Sequence, residues 1–204
     1  MPLNSNSLEL AEEQWYIVSI MAFTLTQAAT ALGVAQHKLI HLCEKKVVVP
    51  DVRDARGRGS SREFSERNLF DFALALEMRK LEVPVSFVRA VLRVLRTFEV
   101  EARASLGGSP LPVGLLAANA PRLTLLILDG ERLYFRLESP KGQVRVVGGM
   151  NIKHPRLRGR ARQHQGVGRL APAELNHVLT NARTRIEIDL SQIAQDLNEK
   201  LPPA

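Results

Sequence analysis

The chain has 204 residues, of which 45% are apolar, 28 are Lys or Arg and 21 are Asp or Glu, giving a formal charge of +7. That length and apolar content suit one packed domain or two small ones and exclude a wholly disordered chain, while the positive balance favours an anionic partner through attraction and counterion release. No run reaches the roughly 20 apolar residues of a spanning helix, the N-terminus lacks the basic-then-apolar order of a leader, and the lone Cys43 with scattered histidines supplies neither a disulfide nor a zinc set; a cytoplasmic protein without membrane anchor, metal or cofactor is expected.

Residues 1–21 form an N-terminal extension in which SLELAEEQWYIVSI, from Ser7 to Ile20, is acidic and then apolar. It reads either as an extra helix or as a stretch upstream of a start at Met21. In TLTQAATALGVAQHKLIHL, Leu25, Ala28, Ala29 and Leu32 share one helical face, Gly33 ends the helix and Val34 plugs the turn, which is a helix-turn-helix pattern. The second helix starts near Ala35. With Leu39, Leu42 and Cys43 inward, Gln36, His37, Lys38 and His41 lie on the outer side, where a DNA major groove would be met. The β-branched run Val47-Val48-Val49 is expected as a short strand ended by Pro50. Residues 51–62 then have the composition of a wing: Arg53, Arg56, Arg58 and Arg62 supply cations, and the glycines between them allow close approach to phosphate.

Ser65 suits the N-cap of a helix in which Leu69, Phe72, Ala73 and Leu76 recur at helical spacing. Val83-Pro84 breaks that helix. A further one is expected from about Val85 to Ala104, with Val85, Val88, Leu92, Leu95 and Phe98 inward and Arg89, Arg93 and Arg96 as a solvated outer stripe. The turn-rich stretch LGGSPLPVG places a linker at 106–121. Beyond it, LTLLILDGERLYFRLE reads as a β-hairpin closed by a two-residue turn at Asp129-Gly130, and QVRVVGG as a third strand. Asp129 needs no role besides that turn.

No acidic residue occurs between Glu138 and Glu174, and the 153–169 stretch reads as a basic loop with a second basic patch at Lys153, Arg156, Arg158, Arg160 and Arg162. Its His154 and His164 lack companion ligands and are read as solvated. The chain closes with an alternating strand, RIEID, a Ser191 cap and a short amphipathic helix. The expected fold is α+β, with a winged helix-turn-helix at 22–105 followed by a small α+β domain at 122–204 built on the β-hairpin and the C-terminal helix.

From Thr24 to about Phe98 the order of these elements resembles the DNA-binding domain of the MerR family. The resemblance rests on Leu32-Gly33-Val34 at the turn, on Val47-Val48-Val49-Pro50, and on Arg62-x-Phe64-Ser65-x-x-x-Leu69 from wing into helix. Leu81-Glu82-Val83-Pro84-Val85-Ser86-Phe87-Val88 also stands where the family has a Leu-Gly-Phe-Ser-Leu-x-x-Ile helix start. The chain departs from the family at Ile40, His41, Leu42 and Cys43, which replace an Arg-Tyr-Tyr-Glu that helps hold the DNA backbone, and at Lys46, which replaces a Gly. Lys38, His41, Lys45 and Lys46 are the residues placed to compensate for the lost phosphate grip. The family's long dimerising helix and sensing cysteines are not evident. A fainter similarity, of the head plus the DG-turn hairpin, is to VapB-type antitoxins that carry a MerR-like head.

No Ser/His/Asp or Cys/His set, carboxylate pair or phosphate loop has usable spacing, so the chain is not read as an enzyme. The resemblance implies a sequence-specific transcriptional regulator of nucleoid location that binds double-stranded DNA as a homodimer. The alternative is an antitoxin or adaptor whose C-terminal domain binds a protein partner, with DNA binding secondary.

Overall fold

A computed structural model of the protein describes residues 21–54, 61–106, 108–130, 132–142, 144–147, 169–170 and 172–201. Residues 1–20, Arg56 and Arg58, and the patch formed by Lys153, Arg156, Arg158, Arg160 and Arg162 lie outside the described residues. The described residues form a mixed α+β fold.

A short strand, β1 (Phe23–Thr24), runs directly into helix α1 (Leu25–Leu32). Thr24 and Gln27 cap that helix reciprocally: the Gln27 N–H donates to the Thr24 hydroxyl at 3.3 Å and the Thr24 N–H to the Gln27 side-chain oxygen at 2.8 Å. At the other end Gly33, at φ 64, lets its own N–H reach the Thr30 carbonyl and the Val34 N–H reach that of Ala29, each at 3.0 Å. This pair of bonds closes the helix and turns the chain sharply into α2 (Gln36–Glu44).

Val47–Val49, expected as a strand, is not one. Lys46 takes φ 53, which bends the chain back so that the Val47 N–H donates to the Leu42 carbonyl at 2.9 Å. Val47 and Val48 enter the core while Val49 is half exposed. The pairing in this region runs instead between β1 and β2 (Glu63–Phe64), with Phe23 opposite Phe64, and is extended by an antiparallel bridge between Arg53 and Glu63.

Helix α3 (Glu66–Lys80) starts at the Ser65 cap and is central: Leu69, Phe70, Phe72, Leu74, Ala75 and Met78 are wholly buried. After a tight connection it is followed by α4 (Val85–Ala102), which buries Val88, Val91, Leu92, Leu95 and Phe98. The 106–121 stretch, read as a linker, is packed: Leu106, Leu111 and Leu115 belong to the core, and the Leu111 N–H donates to the Glu99 carboxylate at 2.7 Å. Apolar side chains spaced along short turns here give the segment its own anchors.

The remainder is an antiparallel five-stranded sheet with α5 (Pro172–Thr180) and α6 (Leu190–Asn198). Its strands are β3 (Arg122–Leu128), β4 (Arg132–Glu138), β5 (Val144–Val147), β6 (Arg169–Leu170) and β7 (Arg185–Asp189), in the spatial order β6-β5-β4-β3-β7. Leu128 pairs with Arg132, so the hairpin loop holds three residues rather than two, with Asp129 at φ 52 and Gly130 at φ 65. Asp129 also does more than turn the chain. Its carboxylate ion-pairs with Arg132 and accepts the N–H groups of Arg183 and Thr184 at 2.9 and 3.2 Å, joining the hairpin to the start of β7.

The cap of α6 is Asp189, not Ser191. The Asp189 carboxylate accepts from the N–H groups of Ser191 and Gln192 at 3.0 and 3.1 Å, while the buried Ser191 hydroxyl accepts from the Leu123 N–H at 2.9 Å. Helix α6 lies against both α3 and β3, and Phe98 of α4 stacks on Phe135 of β4 with centroids 4.4 Å apart. One hydrophobic cluster therefore runs from Phe23 to Leu197, across the 106–121 segment. Among the described residues no helix is long and apolar enough to cross a membrane.

Candidate nucleic-acid interface

Helix α2 has two unlike sides. Leu39, Leu42 and Cys43 are buried against α1 and the core, and Gln36, His37, Lys38 and His41 are exposed, as are Lys45 and Lys46 just past its end. Among the described residues none of the three lysines is ion-paired. The six polar side chains expected from the sequence are thus all open to solvent.

Both ends of α2 are held in ways that matter to that surface. Ala35 provides no side-chain acceptor at the N-cap, so the first-turn N–H groups keep their preference for an external anion. At the C-terminal end the Arg89 guanidinium of α4 donates to the Lys45 carbonyl. A cation there complements both the unsatisfied carbonyls and the negative end of the helix dipole. Lys46 then adopts φ 53, a conformation that costs a residue with a Cβ about 1–2 kcal/mol relative to glycine.

Asp51, at the start of the segment expected as a wing, is tied to the start of α3. The Asp51 carboxylate accepts from the Ser65 N–H at 3.0 Å and from its hydroxyl, and the Asp51 N–H donates to the Asn68 side-chain oxygen at 3.0 Å. Asn68 is fully buried, so this triangle anchors Asp51 on the start of α3. Two of the four arginines expected in a wing are described, and both are engaged within the chain: Arg53 pairs with Glu63 and donates to the Ser61 hydroxyl at 3.3 Å, and Arg62 donates to Asp54 at 3.2 Å. Each contact leaves the guanidinium other donors for a phosphate.

Arg62 and Asp54 also lie close enough to Cys43 to act on its thiol. Burial pushes that thiol up to about 11, with Arg62 drawing it down and Asp54 and Glu44 adding to the rise. Cys43 is a packed core thiol rather than a reactive one.

The arginines of α4 do not form one solvated stripe. Arg93 and Arg96 are exposed, but Arg89 clamps α2, and Arg96 also donates at 2.7 Å to Asp71, a carboxylate with no exposed surface. Arg67, one turn before Asp71 on α3, reaches the same carboxylate at 3.2 Å and also pairs with Glu99. Sequence reasoning passed over Asp71. Its signal was an acid inside the apolar run Leu69-Phe70-Asp71-Phe72, at the i+4 position from an arginine. The network braces α3 against α4.

Among the described residues no group of three or more His, Cys, Asp or Glu side chains is placed to hold a metal. A shallow depression of about 590 Å³ between α1 and Lys200-Leu201 is largely apolar and lacks an acid–base pair. No protein-family model matches the chain, and no curated protein shows significant similarity to it.

Proposed function

We propose that the protein is a sequence-specific DNA-binding regulator of transcription, whose residues 22–105 work as a winged helix-turn-helix of the kind the MerR resemblance implies. The observation that carries this reading is the outer side of α2, where Gln36, His37, Lys38 and His41 stand exposed on a helix held by the Gly33 turn at one end and by Arg89 at the other. In this reading α2 enters the major groove, Gln36 and His37 meet base edges, and Lys38, Lys45 and Lys46 meet flanking phosphates. The wing, with Arg53, Arg56, Arg58 and Arg62, lies on the neighbouring backbone. Lys46 supports the reading in a second way: a cation occupies a backbone position that favours glycine.

The test selects bound fragments from a genomic library with the full chain, then titrates the recovered duplex by fluorescence anisotropy at several salt concentrations. Affinity falls steeply with salt, and Lys38→Ala or Lys45→Ala lowers the logarithmic salt slope by about one each, whereas Gln36→Ala relaxes preference at one base pair with the slope unchanged. Absence of any recovered duplex at low salt rejects the proposal.

A further inference from the structure

Strand β7 lies at one edge of the five-stranded sheet and, among the described residues, pairs with β3 alone. The Asp129 N–H donates to the Thr184 carbonyl at 3.0 Å, so this opposed pair is of the hydrogen-bonded type. Antiparallel ladders alternate, which makes Ile186/Ile127 and Ile188/Leu125 hydrogen-bonded pairs as well. Arg185 and Glu187 therefore turn their backbone groups away from β3, toward the open edge, whereas the Asp189 carbonyl, at the N-cap, belongs to α6. No other backbone group among the described residues bonds to Arg185 or Glu187.

The side chains along that edge read Arg185-Ile186-Glu187-Ile188-Asp189, a sequence that is charge-complementary to itself when reversed. An antiparallel copy centred on Glu187 places Arg185 opposite the Asp189 of the other chain twice over, and Ile186 opposite Ile188 on the core side. A parallel copy in the same alignment places Arg opposite Arg and Asp opposite Asp. The charges that guard an edge against indiscriminate pairing thus permit one partner and one orientation. The central pair, Glu187 against Glu187, is the unfavourable contact. Within each chain Glu187 has Arg185 at 3.1 Å and Arg136 at 3.9 Å, and Asp189 has Arg122 at 2.7 Å, so the cross-strand contacts add to pairs already made and each Glu187 is offset before the strands meet.

We propose that the free edge of β7 is a self-association site, where a second copy of this chain adds its own β7 antiparallel about a two-fold axis through Glu187 to make a continuous ten-stranded sheet. The axis also relates two copies of α2, the symmetry that a two-fold DNA site requires. The inference rests on the sheet alone and does not depend on the DNA-binding reading.

The experiment is a charge swap read by sedimentation velocity on the full chain without DNA. The unmodified protein sediments as a dimer. Arg185→Glu and Asp189→Lys each place like charges together at both ends of the interface, and each alone sediments at half the mass. An equimolar mixture restores the dimer as a heterodimer, because the introduced glutamate of one chain then faces the introduced lysine of the other, and the unaltered Arg185 faces the unaltered Asp189; native mass spectrometry identifies the mixed species. Asp189 also caps α6, so Glu187→Pro serves as an independent variant: it removes an outward N–H, leaves the β3 ladder intact and gives a folded monomer by circular dichroism. A monomeric unmodified protein, dimers that survive all three substitutions, or a mixture that stays monomeric would overturn the proposal. Loss of dimers with DNA binding retained, or the reverse, separates this inference from the proposed function.

Discussion

The guanidinium of Arg89, on α4, donates to the main-chain carbonyl of Lys45 at the end of α2, across 44 residues of sequence. The far end of the exposed helix is thereby held by a different helix, one whose Phe98 stacks on Phe135 of the sheet. Helix α4 is thus one physical link between the α2 surface and the C-terminal sheet.

Arg89→Ala removes that donor and leaves the last carbonyls of α2 to water. The expected cost is about 1–2 kcal/mol, since the bond is to a charged group but partly solvent-accessible. Hydrogen exchange in the absence of DNA reads the effect locally, as faster exchange of the Lys46 and Val47 amides with that of α3 amides unchanged. Uniform acceleration over α3 would instead make Arg89 a general packing residue.

Lys46 sets stability against binding. Lys46→Gly relieves a left-handed conformation and is expected to stabilise the fold by about 1 kcal/mol in urea denaturation. The same change weakens DNA binding and lowers the salt slope by about one. Stabilisation without loss of affinity would place Lys46 off the DNA.

Asp71 is the member of the α3–α4 network that the fold tolerates losing least. Asp71→Ala leaves Arg67, which is 16% exposed, with Glu99 as its remaining carboxylate, and removes the partner of Arg96. Removing one member of a buried ion pair costs about 3–5 kcal/mol. Arg96→Ala, at a side chain about half exposed, costs far less. Urea denaturation midpoints of the two variants should differ in that order.

Asp129 contributes to acid stability. Hydrogen bonds from the Arg132 side chain, and then from the Thr184 and Arg183 N–H groups, hold its carboxyl below the usual carboxylate value of 3.8. A lowered native value means that its contribution is fully present above the unfolded value and is lost as pH falls through the native one. Asp129→Asn should therefore melt earlier than the unmodified protein near neutral pH, with the difference closing below about pH 4. A gap in melting temperature that persists at low pH would show that the loop geometry, not the charge, is responsible.

What could be read along the chain was what neighbours in sequence decide. Gly33, Ser65 and Pro84 mark helix ends through bonds or dihedrals that involve residues a few positions away. The periodicities of 66–80 and 85–102 and the β-forming runs on either side of Asp129-Gly130 located the helices and the hairpin, and the same helical spacing put Gln36, His37, Lys38 and His41 outside and Leu39, Leu42 and Cys43 inside. The misreadings share a cause. Val47–Val49 has strand-forming side chains but no strand beside it, because Lys46 turns the chain into the core. Ser191 and Asp189 were both competent caps, and the choice fell to Asp189 because the N–H of Leu123, 68 residues away, engages the Ser191 hydroxyl. Arg89 looked like solvated charge until α2 supplied a carbonyl, and Arg96, exposed as expected, also meets a carboxylate from α3. Caps, turns and amphipathic faces are settled by local dihedrals and side-chain period. Partners for long polar side chains, and the position of β7 at an edge of the sheet among the described residues, arise only when elements distant in sequence are packed together.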